Sequence, residues 1–97
     1  MKNNLQDENM QNLMRAILTL ETEEECMRFL RDLCTVSELK SMSQRLEVAM
    51  KLRSGAVYTD IAAATGASTA TISRVSRSLS YGENGYNTVL ERLDSAK

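Results

Sequence analysis

The chain contains no histidine and no proline, only four aromatic side chains and only two cysteines. Without histidine it lacks the usual base for a serine or cysteine nucleophile and the usual partner of cysteine at zinc. No serine stands beside another plausible base, and no phosphate-cradling G-x-x-x-x-G-K loop occurs, so an enzyme is not expected. With few aromatics, the core must be built from Leu, Ile, Val, Ala and Met. No apolar run approaches the roughly 20 residues of a membrane span, and the opening MKNNLQDENM is too polar for a signal sequence. A cytoplasmic location and no membrane partner are expected. Cys26 and Cys34, about two helical turns apart on an apolar face, read as reduced thiols of the core.

What is present is apolar residues at helical spacing over 97 residues. Together with the lack of proline, this predicts a single all-α domain spanning residues 1–97. The first helix is expected from Leu5 to Leu20, with a stripe of Met10, Leu13, Met14, Ile17 and Leu18. Thr22 and Glu25 form a T-x-x-E capping box for a second helix to about Leu33. Its wide apolar set of Cys26, Met27, Phe29, Leu30, Leu33 and Cys34 predicts burial on two sides. Thr35 and Glu38 repeat the box and open a third helix, Val36 to Ser54, stopped by Gly55. Its core side is expected to carry Leu39, Met42, Leu46, Ala49, Met50 and Leu52. After a loop from Tyr81 to Asn87, Asn87 is the candidate cap of a last short helix bearing Val89, Leu90 and Leu93.

The informative stretch is YTDIAAATGASTATISRVSR, residues 58–77. Ala62 is small where a second helix would cross, Gly66 accepts the positive φ of a tight turn, and Ser68 or Thr69 can cap the helix that follows. Ile72, Val75 and Leu79 give that helix an inward face, while Thr69, Ala70, Ser73, Arg74 and Arg77 occupy the other. Small polar residues first and cations later suit a helix that enters a DNA major groove by its N-terminal end. An ordinary helical corner would share the glycine but not the whole pattern. Thr65, just before Gly66, departs from it, because a larger apolar residue there would bury more surface.

Net charge is slightly negative, but unevenly placed. Residues 1–36 carry four Lys/Arg against seven Asp/Glu, whereas residues 37–80 carry six against three. The cations gather around the helix-turn-helix, as an anionic partner would require. Residues 1–34 hold more apolar surface than support of a helix-turn-helix needs. A twofold homodimer would cover it and fix the separation of two recognition helices; a compact six-helix monomer is the alternative.

The run Gly66-x-x-x-Ala70-Thr71-Ile72-Ser73-Arg74, ending in Ser78-Leu79 and preceded by Thr35-x-x-Glu38, Arg45, Arg53 and Gly55, resembles the Trp repressor superfamily, nearest its YerC/YecD branch. The resemblance implies a six-helix fold, an interlocked dimer of the N-terminal helices (1–34), and a repressor of a palindromic double-stranded DNA operator. It also implies base reading by Thr69, Ala70 and Ser73 and a phosphate contact by Thr71. With Ser68, Arg74 and Arg77, these form the expected DNA face. Thr59, which also belongs to that face, aligns with a base-reading arginine of the family and cannot fork onto guanine, so a different operator sequence is implied.

In tryptophan-binding members two arginines sandwich the indole. They align with Arg45 and Arg74, with Thr35 and Ser78 at polar positions around the ligand. Val75 aligns with a glycine, and its branched side chain stands in the space the ring needs. L-tryptophan is thus not expected as co-repressor, while another small effector and ligand-independent binding both stay open. No other cofactor is implied. A protein-protein module built on the same helix-turn-helix is the alternative to DNA binding.

Overall fold

The computed structural model describes residues 7–96. These form six α-helices and no strand: α1 Glu8–Leu18, α2 Glu23–Leu33, α3 Val36–Arg53, α4 Tyr58–Thr65, α5 Thr69–Tyr81 and α6 Gly85–Ser95. The chain divides after Leu39 into two compact units, and α3 begins in the first and continues in the second. Among the described residues no helix is long and apolar enough to cross a membrane.

In the first unit, helix ends are set by side-chain caps. The carboxylate of Asp7 accepts the Met10 amide at 2.8 Å and starts α1. A start at Leu5 lies outside the described residues. Thr22 accepts the Glu25 amide at 3.1 Å, but the Glu25 carboxylate reaches past Thr22 to the Glu21 amide at 2.9 Å. The second box closes on itself: the Thr35 hydroxyl accepts from the Glu38 amide at 3.0 Å and the Glu38 carboxylate accepts from the Thr35 amide at 2.7 Å. The second box thus satisfies two of the orphan amides of a helix start, the first only that of Glu25.

Neither α1 nor α2 contains a buried residue. Met14, Ile17 and Leu18 of the first stripe are exposed, as are Met27 and Leu33 of α2. Cys26 and Cys34 are free and half-buried. The expected two-sided burial of α2 is therefore absent in the single chain, for lack of enough neighbouring surface to cover so broad an apolar set.

The second unit holds the core, which consists of Val48 and Ala49 of α3, Ile61 of α4, Ala67 of the turn, Ile72 and Val75 of α5, and Leu90 of α6. Leu46 and Leu52 pack against it, but Met42 and Met50 are exposed and Val48 takes the inward place. Apolar residues lie all around α3, so spacing alone left the phase of its buried face open. At its end Gly55 is left-handed, with φ 92°. The Gly55 amide donates to the Leu52 carbonyl and the Ala56 amide to that of Lys51, each at 3.0 Å. This double closure is a Schellman stop, which glycine permits at least cost.

The loop after α5 is shorter than expected, because α6 already begins at Gly85. Asn84, with φ 66°, occupies the cap position without a side-chain cap bond. Asn87 lies inside the helix and is no cap. Its amide nitrogen donates to the Leu79 carbonyl and to the Asn84 side-chain oxygen, both at 3.1 Å, so it ties α6 to the end of α5. Asparagine tolerates the left-handed region, which lets the chain reverse here in three residues.

Candidate nucleic-acid interface

The helix-turn-helix is built around Gly66. Its φ of 75° and ψ of 5° are left-handed, and its amide donates to the Ala62 carbonyl at 2.9 Å, closing α4. Thr65, read from sequence as a weak point for its small apolar area, serves a different purpose. Its hydroxyl donates to the Ile61 carbonyl at 2.8 Å and accepts from the Ala67 amide at 3.1 Å. The Thr65 carbonyl in turn accepts from the Gln44 side-chain amide of α3 at 3.1 Å. A leucine at position 65 would bury more area but leave the Ala67 amide without that acceptor. Ser68 then caps α5, its hydroxyl oxygen accepting from the Thr71 amide at 3.1 Å.

From this start α5 splits into two faces. Ile72 and Val75 are buried and Leu79 packs against the core. Thr69, Ala70, Ser73, Arg74 and Arg77 are all exposed, as are Ser68 before them and Thr59 on α4. Thr71 is half-buried, and its hydroxyl lies 3.1 Å from that of Ser68. A shallow depression of ≈ 440 Å³ runs along the exposed face, lined by Ala70, Ser73, Arg74, Arg77 and Tyr81 among others. There is no acidic residue on α5. Among the described residues the ion pair formed is Arg28 with Glu24 on α2, 3.6 Å apart. Within that set the guanidiniums of Arg74 and Arg77 are left for an external anion.

A model of the Trp repressor protein family matches residues 8–94. The chain belongs to the Trp repressor family. It is 51% identical over 89 residues to the protein YerC of Bacillus subtilis (strain 168), covering 92% of this chain and 86% of that one, which puts it in the YerC-like branch. A crystal structure of a TrpR-like protein from Eubacterium eligens ATCC 27750 is 52% identical, with a TM-score of 0.91 over 96% of each chain. A second solved structure, from Staphylococcus aureus, is 49% identical, with a TM-score of 0.90 over 94% of this chain and 91% of its own.

The positions read from sequence as a possible effector pocket do not all belong to one unit of this Trp repressor relative. Thr35 lies in the first, where its hydroxyl oxygen is engaged as the cap of α3. In the second, Arg45 is half-buried on α3, Arg74 is exposed on α5, and Ser78 is half-buried. Val75 is 1% exposed and belongs to the core cluster with Val48, Ala49 and Ile72. Its side chain is thus part of the packing that holds α5.

Three contributors escaped the sequence reading. Gln44 and Thr65 brace the turn through a hydrogen bond between residues 21 apart, and nothing in periodicity signals such a pairing. Tyr81 was assigned to a loop but is the last residue of α5, on the same depression as the arginines. Its signal was available, since the polar face of α5 continues unbroken to it.

Proposed function

We propose that this chain is a sequence-specific DNA-binding transcriptional regulator, a repressor acting in the cytoplasm as a homodimer. The observation that supports it most is the division of α5 into a buried apolar face and an exposed face whose small residues come first and whose arginines come later. Small side chains at the N-terminal turn let the helix approach base edges, and Arg74 and Arg77 then neutralise phosphate or fork onto guanine. Thr59, Ser68, Thr69, Ala70, Thr71 and Ser73 complete the interface. Membership of the Trp repressor family and the TrpR-like neighbour support repression as the sign of regulation.

The dimer follows from the uncovered apolar residues of α1 and α2. A twofold pair would present two α5 helices to half-sites about 34 to 36 Å apart, or a multiple of that, so the operator is a pseudo-palindrome.

Selection of bound duplexes from a random DNA pool tests the reading. Enrichment of a pseudo-palindrome is the expected result, and no enrichment of any duplex would sink it. On the enriched sequence, Arg74→Ala and Arg77→Ala should weaken binding with helix content unchanged. A phosphate-directed arginine lowers affinity evenly and reduces the salt slope by about 1, whereas a base-directed one costs about 1 to 3 kcal/mol at its own base pair.

A further inference from the structure

We propose that Tyr81 is a DNA contact, its phenol hydroxyl donating to a backbone phosphate at the rim of the groove that α5 enters; the inference rests on the DNA-binding reading above. Among the aromatic residues Tyr81 stands apart. Phe29 and Tyr86 are half-buried and Tyr58 is 39% exposed, but Tyr81 is 85% exposed. The fold makes almost no use of it. It nevertheless shares the depression along α5 with Ala70, Ser73, Arg74 and Arg77, so it continues the face already assigned to DNA.

Helix geometry decides which part of DNA it can meet. At 1.5 Å per residue, Ser73 lies about 6 Å along the axis from Thr69, Arg77 about 12 Å and Tyr81 about 18 Å. The major groove is about 8.5 Å deep. With the N-terminal turn of α5 at the base edges, Ser73 is inside the groove and Tyr81 stands above its walls, so that a helix tilted in the groove brings its ring down to the level of the sugar-phosphate chains. Tilt of the helix shortens these heights without bringing Tyr81 to a base.

The chemistry of that end of the helix narrows the kind of donor that can serve there. The last turn of α5 holds no basic residue, and its free carbonyls form the negative end of the helix dipole. A phosphate approaching there meets the Arg77 guanidinium, one turn earlier in the same depression, as its nearest cation on α5, and the Tyr81 hydroxyl, held out from the axis, adds a neutral donor beside it. Tyrosine is one of the side chains that make such positioning contacts. Tyr81 accordingly contributes affinity and fixes the depth of insertion, and does not choose bases.

The test uses the full chain as wild type, Tyr81→Phe and Tyr81→Ala, binding a duplex enriched from a random pool, at several salt concentrations. Tyr81→Phe should bind about tenfold more weakly, equal to about 1.4 kcal/mol. The loss should be the same on base-substituted versions of the duplex, with the salt slope unchanged because no charge is removed. Tyr81→Ala should lose at least as much. Affinity of Tyr81→Phe within twofold of wild type overturns the proposal while leaving DNA binding intact. So does a loss confined to one base pair, or a changed sedimentation coefficient, which would assign Tyr81 to a contact between copies. If wild type binds no duplex, the DNA reading falls and this inference falls with it.

Discussion

Val75 bears on whether this family member is controlled by L-tryptophan. Its side chain is almost wholly buried in the core cluster, and valine is stiff at χ1, so it cannot swing aside without disturbing α5. Seating an indole against it would force volume into packed space at a cost of about 1 to 3 kcal/mol, removing roughly one to two orders of magnitude from a small ligand's affinity. Calorimetry with L-tryptophan should therefore show no saturable heat at sub-millimolar concentration. Glycines offer a second comparison at the same scale. A Cβ built on Gly82 lies 2.5 Å from the Ser78 carbonyl oxygen, whereas one on Gly85 meets nothing within 4 Å. Gly82→Ala should destabilise by about 1 to 3 kcal/mol, a typical range for a core or backbone clash. Gly85→Ala, at the first position of α6, should be neutral or slightly stabilising. Equal melting temperatures for the two variants would contradict this geometry.

Among the elements, α5 depends on Ser68 for the start of its exposed polar face. Removing the cap by Ser68→Ala should cost about 1 kcal/mol in denaturant unfolding and fray the turn that bears Thr69 and Ala70. Ser68→Asp, which keeps an acceptor, should retain the stability but repel DNA phosphate, so the pair separates capping from binding. Element positions were largely legible in the sequence. Thr22, Thr35, Gly55 and Gly66 are local signals, each acting within four residues, and the helices of the helix-turn-helix begin at Tyr58 and Thr69 as expected. Misreadings arose where the deciding interaction is not local. Asn87 looked like a cap but bonds the Leu79 carbonyl eight residues back, and Thr65 looked like lost apolar area but bridges the turn. The core side of α3 was read in part: Ala49, Leu46 and Leu52 lie at the core as expected, but Val48 takes the place given to Met50. The exposed polar face of α5 was legible because it is the complement of a regular apolar one. Which of its side chains would touch bases in the proposed complex is set by the geometry of docking and not by periodicity.

For the whole molecule the question is what covers α1 and α2. Their apolar residues recur at helical spacing, yet none is buried, and Leu18 is 83% exposed. Single exposed apolar residues are ordinary on a protein surface, but two consecutive helices without one buried side chain are not an independent folding unit. A stable protein interface buries about 1,200 to 2,000 Å² in total. The stripe on α1 and the broad face of α2, each used twice by a twofold axis, are apolar enough to form the centre of one. Sedimentation at micromolar concentration should therefore give one species of twice the chain mass, and unfolding midpoints should rise with protein concentration, because dissociation and unfolding are then coupled. Ile17→Glu places a charge within that stripe. It should shift the equilibrium to monomer and lower operator affinity far more than it alters the binding of one half-site, since the second recognition helix is lost while α4 and α5 are untouched. A wild-type monomer under those conditions would remove the reason given for the first two helices and, with it, the expectation of a pseudo-palindromic operator.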